Sequence, residues 1–414
     1  MRRHKPILSL IFLPIALMAI GLIMMYTIGP AWAEFKSTGS AKIGTYSFFI
    51  KQLIIVVLSI VAMLGVWFLA TRNDKILPWL FDNSLTILGI GLFACFLVGA
   101  LGRIGFTMGG LIGCSGGACR AFNIPLLGSF QPAEFLKVGV ILYVINIITK
   151  RKKEERFGWN LETMLPIVIL VMAIAVIVAF LEKDLGSTVV MYAMIFCMLY
   201  AFGIEMKVWH WLGLGFLAVM LGLILVFSSP HRIERIGSFV SQTEGKEDAE
   251  SSHSDNALLA IGSGGWFGVG IGNSVQATGY LPESINDSIF AVMGETVGFF
   301  GLVILLAIYA ILLIRMLGLY DCLRDDKEKL IPIAVFAWIF GHVVINVMGM
   351  TGIIPMKGIT LPFISYGGSS MILLSATVGL VVYVSCFAER NKNKRYMRRK
   401  PIATKTYSRR RRHD

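Results

Sequence analysis

Long apolar runs alternate with short polar segments along almost the whole chain. Each run approaches or exceeds the roughly 20 helical residues that cross about 30 Å of hydrocarbon. Because backbone amides inside a bilayer must be hydrogen-bonded within the protein, runs of this length predict transmembrane helices. The ten predicted spans are Ile7–Gly29, Ser47–Ala70, Ser84–Leu101, Gln131–Thr149, Thr163–Leu181, Thr188–Ile204, Val208–Phe227, Asp287–Ile314, Ile331–Ile353 and Ser369–Phe387. The pattern therefore predicts an all-α polytopic membrane protein.

Composition agrees with a membrane protein and excludes several other classes. Of the 414 residues, 56% are hydrophobic and 15% are charged, and Lys and Arg outnumber Asp and Glu by 38 to 25. A soluble chain with a net charge of +13 would suggest nucleic-acid binding, but such a chain usually has about a quarter of its residues charged. The high apolar content and the six cysteines also exclude disorder and a disulfide scaffold. Nucleic acid is therefore not an expected partner.

The positions of Lys and Arg predict the orientation in the membrane. With the N-terminus in the cytoplasm, 27 of the 38 Lys and Arg residues fall on the cytoplasmic side, 12 of them after Glu389. This arrangement predicts two cytoplasmic termini and a large extracytoplasmic loop, residues 228–286, between the seventh and eighth spans. It divides the chain into a transmembrane domain, residues 1–389, and a basic tail, residues 390–414, that would contact anionic lipid.

The start of the chain has a second interpretation. A charged N-terminus, an apolar run and Ala31-Trp32-Ala33 imitate a cleaved signal peptide. The apolar run is about 22 residues long, whereas the apolar region of a signal peptide has roughly 7–15 residues. A retained first helix is therefore expected.

Two outer segments are longer than ordinary connections. Residues 102–130 are rich in Gly and carry Cys114 and Cys119, which are close enough in sequence to form a disulfide on the oxidising side of the membrane. The second segment, residues 228–286, contains the Gly-rich stretch 262–272. That stretch lacks the spacing of a nucleotide-binding loop, so it is predicted to be close-packed or re-entrant backbone shielded by protein.

Ionisable and polar side chains beside the bilayer are costly, so they indicate functional positions. Glu134 and Lys137 are three residues apart at the outer end of the fourth span, so they share a helix face and can pair. His342 and Asn346, four residues apart on the ninth span, are predicted to join helices rather than to contact a substrate. No group of Cys or His has metal-ligand spacing. Further candidates at the outer ends of spans and in outer loops are Arg120, Lys183, Asp184, Arg232, Arg235, Asp287, Glu295, Lys357 and Ser369.

Four separated motifs occur in order along nearly the whole chain. They are Pro132-Ala133-Glu134-Phe135-Leu136-Lys137, Glu182-Lys183-Asp184-Leu185-Gly186-Ser187-Thr188, Leu281-Pro282-Glu283 with Asp287, and Pro362-Phe363-Ile364-Ser365-Tyr366-Gly367-Gly368-Ser369-Ser370. Together they resemble the SEDS family of shape, elongation, division and sporulation proteins, which includes FtsW, RodA and SpoVE. The resemblance implies ten transmembrane helices and polymerisation of lipid II into glycan strands, beside a class B penicillin-binding transpeptidase, in the bacterial plasma membrane.

Two short segments resemble the division branch of that family. They are Pro355–Pro362 and the Arg-containing Arg232–Arg235. This likeness implies septal cell-wall synthesis with other divisome proteins as partners. The chain departs from the family pattern at Ile285-Asn286, where His-Thr is usual, and at Thr296, where a second acid is usual, which affects the fine positioning of the site.

The resemblance places the family's catalytic aspartate at Asp287. A carboxylate partly shielded at the membrane surface can be basic enough to take a proton from an attacking sugar hydroxyl. We expect inversion at the anomeric carbon without a covalent enzyme intermediate. Negative charge develops on the departing diphosphate, so cations are expected nearby, and a divalent cation, Mg or Mn, is a further candidate there. The outer cations are Arg120, Lys137, Lys183, Arg232, Arg235 and Lys357; further substrate contacts are expected from Glu134, Asp184, Glu295 and Ser369.

Structural roles and other functions stay open at this point. Asp287 and Asp184 can serve as helix N-caps, and Glu134 with Lys137 can be a helix-stabilising pair. The same features also fit a lipid II flippase, an elongation-type polymerase or a non-catalytic division scaffold. A flippase needs a polar path across the membrane, to which the nearly uncharged first two spans add little.

Overall fold

The computed structural model describes residues 4–37, 44–104, 111–115, 118–124, 128–154, 161–203, 249–355 and 358–388. Within these ranges the chain is mostly helical. The helices are α1 Ser9–Lys36, α2 Ser47–Arg72, α3 Ile76–Asp82, α4 Ser84–Ile104, α5 Pro132–Lys153, α6 Leu161–Ile174, α7 Leu185–Ala201, α8 Ala249–Ser263, α9 Ile289–Tyr320, α10 Asp326–Met350 and α11 Gly368–Ser385. A π-helical segment, Ala175–Leu181, continues α6, and a 3₁₀ turn, Gln276–Thr278, precedes α9.

Eight helices in the described ranges are long and apolar enough to cross a membrane. They are α1, α2, α4, α5, α6 with its π-helical continuation, α9, α10 and α11, while α7 is apolar and shorter. Nine of the ten predicted spans therefore coincide with helices. The remaining prediction, Val208–Phe227, lies outside the described residues.

Polar contacts between helix ends show which ends share a side of the bundle. Lys152, at the end of α5, forms a 2.7 Å ion pair with Asp326 at the start of α10. The Tyr320 hydroxyl, at the end of α9, donates to the Ala201 carbonyl at the end of α7. Because α9 and α10 are joined by a short turn, the ends of α5, α7 and α9 and the start of α10 lie on one side. This agrees with the predicted alternation of span directions.

The predicted all-α class needs one correction, in the Gly-rich segment before α5. Three short strands, β1 Ile112–Ser115, β2 Ala118–Ile124 and β3 Gly128–Phe130, form an antiparallel sheet in that order. Cys114 and Cys119 are partners across β1 and β2 and form a disulfide, which confirms the predicted pairing. Strands this short and rich in Gly give too few alternations for a period of two to show in the sequence.

The Gly-rich stretch 262–272 packs backbone to backbone against a break in α9. Gly298 has φ 67° and ψ −171° inside this 32-residue helix. A helix break in a membrane protein is tolerated where neighbouring groups satisfy the freed backbone, and here the Val269 amide donates to the Glu295 carbonyl at 2.9 Å. A Cβ atom on Gly268 would lie 2.3 Å from a carbonyl oxygen of α9. The predicted close packing is thus confirmed at Gly264 and Gly268, but most residues of the stretch are exposed, so the predicted shielding by protein is not observed for the whole of it.

The break also separates two parts of α9 with different surroundings. Nearly all side chains from Ile289 to Val297 are buried, whereas after Gly298 buried and exposed positions alternate. That alternation is typical of a helix with one face on the bundle and one on lipid. An exposed aromatic cluster marks the change, with ring centroids 5.4–6.1 Å apart: Trp266, Phe267, Phe299 and Phe300.

Candidate functional site

Two loops on the side where α5, α7, α9 and α11 begin form the framework of the site. The loop 281–288 precedes α9, and the loop 358–366 precedes α11. The Tyr366 amide donates to the Ile285 carbonyl at 2.9 Å, which ties the two loops together. The sequence motifs ending in Asp287 and in Ser370 therefore belong to one structural unit.

One face of α10 holds this unit in place. The Asn346 side-chain amide donates to the main-chain carbonyls of Asp287 and Ile359, each at 2.7 Å. One helical turn away, His342 Nδ1 lies 3.2 Å from the Thr360 carbonyl oxygen. The prediction that these two side chains join elements is consistent with these contacts, although the elements joined are loops as well as helices.

Asp287 has the environment expected of a proton-accepting carboxyl group. Its Oδ1 atom is buried and has no hydrogen-bond partner among the described residues. Burial, together with the nearby Glu283 carboxylate, raises the pKa of Asp287 to about 7, and hydrogen bonds from the main chain and from Ser288 offset part of the rise. A carboxyl group that is half ionised near neutral pH is suited to proton transfer. The N-cap residue of α9 is Ser288, so the capping role considered for Asp287 is not the one observed.

Glu134 and Lys137 form the predicted pair inside the bundle. Lys137 is 0% exposed, and its ammonium nitrogen lies 2.7 Å from Glu134 Oε1 and 2.8 Å from His342 Nε2. Since an ammonium group only donates, His342 Nε2 accepts, which assigns the ring proton to Nδ1. The protonated Nδ1 then donates to the Thr360 carbonyl. A continuous polar chain thus runs from α5 through α10 to the loop 358–366.

Asp184 joins the start of α7 to the start of α5. It is the N-cap residue of α7 and accepts from the Ser187 amide at 3.0 Å and the Ser187 hydroxyl at 2.8 Å. The Gln131 side-chain amide donates to Asp184 Oδ2 at 2.9 Å, and the Gln131 backbone amide donates to Ser369 Oγ at 3.0 Å. Burial acts to raise the pKa of Asp184, but the Arg120 guanidinium and the Ser187 hydrogen bonds hold it below its ordinary value. Asp184 is therefore a structural cap that also places negative charge at the site.

Arg120 stabilises the tight link between the π-helical segment and α7. Its Nε and Nη2 atoms donate to the carbonyls of Glu182 and Lys183 at 3.2 and 2.8 Å, which satisfies groups left unpaired at a helix end. Lys183 is exposed and has φ 57°. The Glu182 side chain is buried next to the Cys95 thiol, which acts as a hydrogen-bond donor to its carboxyl group. Burial and the nearby Asp184 charge raise the pKa of Glu182 well above its ordinary value.

Glu295 lies deeper, beside the 3₁₀ turn. Its carboxylate accepts from the Ser274 hydroxyl and from the amides of Val275 and Gln276 at 2.9 and 3.2 Å. These contacts fix the return of the Gly-rich loop towards residues 281–288. The structure thus gives Glu295 an anchoring role that the sequence did not suggest, and a substrate contact for it stays a prediction.

The structure brings most of the predicted site residues into two adjoining groups. One group surrounds the starts of α5 and α7, and the other is Asp287 with its loop; residues 359 and 360 lie between them. Gln131 was not predicted as a site residue, although a polar residue directly before a Pro at a helix start is a recognisable N-terminal signal. Members of the first group are Arg120, Glu134, Lys137, Lys183, Asp184 and Ser369; Arg232, Arg235 and Lys357 lie outside the described residues.

The described parts of the chain contain no group of three or more His, Cys, Asp or Glu side chains that could hold a metal ion. The divalent cation considered from the sequence therefore has no protein ligand set in these parts. Metal dependence stays a prediction.

The fold and site define a polytopic membrane protein with a partly buried carboxyl group between two loops that precede helices. Residues 8–390 match the model of the cell cycle protein family FtsW/RodA/SpoVE. The chain therefore belongs to this family, and the resemblance seen in the sequence is confirmed.

Two curated relatives from Bacillus subtilis (strain 168) match almost end to end. Stage V sporulation protein E is 30% identical over 391 residues, which are 94% of this chain and 99% of the relative. The probable peptidoglycan glycosyltransferase FtsW is 30% identical over 413 residues, which are 96% of this chain and 94% of the relative.

Two solved structures share the fold. The first, "Structural coordination of polymerization and crosslinking by a peptidoglycan synthase complex", includes a chain with TM-score 0.68 and 24% identity, covering 92% of this chain and 97% of that one. The second, the rod shape determining protein RodA of Thermus thermophilus, has TM-score 0.63 and 23% identity, covering 92% of this chain and 96% of that one.

Proposed function

We propose that the chain is a peptidoglycan glycosyltransferase that polymerises lipid II into glycan strands with release of undecaprenyl diphosphate. The FtsW relatives are named as probable peptidoglycan glycosyltransferases. The single observation that carries the proposal is Asp287, whose buried Oδ1 has no partner among the described residues and whose pKa is raised to about 7. Buried polar atoms usually have a hydrogen-bond partner. Unlike the wholly buried Glu182, Asp287 is only partly buried and lies where the two loops meet, so a substrate can reach it.

In the proposed step, the Asp287 carboxylate accepts the proton of an acceptor sugar hydroxyl. The hydroxyl oxygen forms a bond to the anomeric carbon of the donor as the bond from that carbon to the diphosphate oxygen breaks. The electron pair of the broken bond leaves with the diphosphate. Attack and departure on opposite faces invert the anomeric carbon, and no enzyme atom becomes bonded to sugar.

The basic side chains predicted to lie near the diphosphate differ in their exposure and in their contacts within the protein. Lys183 is exposed next to Asp184, at the start of α7. Arg120 is bound to loop carbonyls and Lys137 is buried in its ion pair, so both would act mainly through their electric field. Arg232, Arg235 and Lys357 remain proposed contacts.

The wider setting is also proposed. The end of α7 and the start of α9 lie on opposite sides of the bundle, so the chain between them must cross the membrane an odd number of times. This supports one further span, predicted at Val208–Phe227, and hence a total of ten. The positive-inside pattern supports cytoplasmic termini and an extracytoplasmic loop 228–286. Relatives named FtsW support a septal role, and the peptidoglycan synthase complex supports a class B penicillin-binding transpeptidase as partner.

The test uses the full-length protein reconstituted in liposomes with fluorescent lipid II. We expect glycan strands from the native protein, at most about 1% of that rate from Asp287→Asn, and native rates from Asp321→Asn, an exposed carboxylate at the far end of α9. Undiminished polymer from Asp287→Asn would refute the assignment.

The same liposomes distinguish the alternative functions. Lipid II that changes leaflet without forming polymer would identify a flippase, and absence of both activities would identify a scaffold. A sugar-enzyme adduct trapped during turnover would exclude the proposed single displacement.

A further inference from the structure

We propose that Asn346 is a positioning residue that holds Asp287 at a fixed distance from the loop 358–366. This inference rests on the proposed function, because it assigns how the catalytic base is held. It goes beyond the role in helix association that the sequence suggests for Asn346.

Both hydrogens of the Asn346 amide are used, and both go to loop carbonyls. The amide nitrogen lies 2.7 Å from the Asp287 carbonyl oxygen and 2.7 Å from the Ile359 carbonyl oxygen. Asn346 is 3% exposed, so water does not replace it readily. A buried carbonyl without a donor is costly, and Asp287 precedes the N-cap residue of α9, outside the helical hydrogen-bond ladder.

Few covalent bonds separate the Asp287 carbonyl, which Asn346 holds, from the Asp287 carboxylate. The Asp287 carbonyl carbon is attached to the Cα atom that carries the carboxymethyl side chain. Holding that carbonyl therefore fixes the origin of the side chain and leaves two side-chain torsions to place the carboxylate. No hydrogen bond from a described residue restrains Oδ1, and the contacts of the carboxyl group with Ser288 come from the next residue along the same loop. The position of the main chain therefore determines where the carboxylate lies.

The second acceptor sets the surroundings of the carboxylate. Ile359 follows Gly358, where φ is 59° and a Cβ atom would lie 3.6 Å from Asp287 Oδ2. The same amide group thus determines both where Asp287 sits and how closely the chain at Gly358 approaches it. A shift of about 1 Å between reacting groups can reduce a rate about 100-fold.

Neighbouring contacts separate this role from general bracing of the loop. His342 holds the next carbonyl, Thr360, on the same helix face, but its other ring nitrogen contacts Lys137 rather than Asp287. The Tyr366 amide holds the loop 281–288 through Ile285, two residues before Asp287. In the described part of the chain, Asn346 is the side chain hydrogen-bonded to the Asp287 main chain.

The experiment compares Asn346→Asp and Asn346→Ala in the full-length protein. Asp keeps the shape of Asn and removes both N–H donors, and Ala removes the side chain. We expect kcat for glycan synthesis to fall about 10- to 100-fold in both variants, with KM within about threefold of native. A matched control, Asn273→Asp, removes an exposed amide that also donates to a main-chain carbonyl, at 3.1 Å, and should keep kcat within about twofold of native.

Asp287→Asn is measured beside these variants. If it is inactive while both Asn346 variants keep native kcat, the positioning role is overturned and the proposed function stands. If Asp287→Asn still makes polymer, the proposed function fails regardless of Asn346. A raised KM with native kcat would also overturn the inference, because it would place Asn346 in substrate binding.

A third variant tests the positioning role of Asn346 if the Asp or Ala variant does not fold. Asn346→Ser keeps one hydroxyl donor in a smaller volume and serves when the Asp or Ala variant is not monodisperse. Its expected kcat lies between those of the native protein and the Asn346→Ala variant, and a native kcat would count against the positioning role.

Discussion

Lys137 and His342 are joined by a 2.8 Å contact between Nζ and Nε2 across the boundary of α5 and α10. The ammonium group is wholly buried and has its charge partner, Glu134, on its own helix at 2.7 Å. The three side chains therefore form one unit in which each partner depends on the other two.

This dependence predicts a non-additive effect on stability. Glu134→Gln leaves a buried ammonium without its counter-charge and should destabilise the protein by about 3 kcal/mol or more. Lys137→Met leaves a buried carboxylate and should cost a similar amount. The double variant should recover at least about half of the summed loss, because no unpaired charge remains. Thermal unfolding in detergent measures the stability of the native protein, the two single variants and the double variant. Losses of stability that add in the double variant would show that Glu134 and Lys137 are not coupled.

The pKa of Asp287 predicts an acid limb in the rate profile. The base must be ionised to accept a proton, and burial has raised its pKa from 3.8 to about 7. At limiting substrate the rate should fall about tenfold for each pH unit below about 6 and level off above about 8. Initial rates from pH 5 to 9 test this, and a flat profile between pH 5 and 8 would count against Asp287 as the base.

The same carboxyl group predicts a stability effect of opposite sign to its activity effect. Its folded pKa is raised, so the folded state binds the proton more tightly, and the associated stability is lost as pH rises through about 7. Asp287→Asn should therefore raise the melting temperature at pH 8 and change it little at pH 4. A lower melting temperature at pH 8 would indicate that Asp287 contributes a structural contact.

Gly298 should not tolerate a side chain. Its φ of 67° disfavours other residues, and a Cβ atom would lie 2.3 Å from the Gly268 amide nitrogen. Gly298→Ala should destabilise the protein by roughly 3 kcal/mol or prevent folding. Gly318→Ala, on the same helix with open space around its Cβ position, is the matched control and should change stability by less than about 1 kcal/mol.

The disulfide between β1 and β2 predicts how many cysteine thiols are reactive. Four of the six cysteines should react with a thiol reagent in denatured, non-reduced protein, and all six after reduction. Intact-mass measurement after alkylation reads the number. Six reactive thiols before reduction would show that Cys114 and Cys119 are not paired.

The apolar runs were sufficient to predict most of the helical fold. A lipid-facing helix needs about 20 apolar residues whatever its neighbours are, so α1, α2 and α4, which bury less than half of their apolar windows, could be predicted from the sequence alone. The sheet before α5 could not, because its strands span at most seven residues and its register depends on Cys114 meeting Cys119.

The site was predictable in its residue types and less so in its connections. The cost of charge beside lipid identified Glu134, Lys137 and Asp287. That Glu295 would anchor residues 274–276 depends on the break at Gly298, which a helical periodicity does not reveal. The double contact of Asn346 joins carbonyls from two distant loops, and main-chain acceptors leave no trace in the sequence.

The position of the break in α9 also determines how far Asp287 lies from the hydrocarbon of the membrane. The 22 residues from Phe299 to Tyr320 extend about 33 Å, which is enough to cross the hydrocarbon, and the ring of exposed aromatic residues begins where that length begins. The residues from Ile289 to Gly298 are about 15 Å long, and the angle at the break determines how much of this length lies along the same axis. With the aromatic cluster taken as the boundary of the hydrocarbon, the first part of α9 places Asp287 outside the lipid tails. On the proposed function, only a sugar carried clear of the membrane by a spacer such as a diphosphate would reach it.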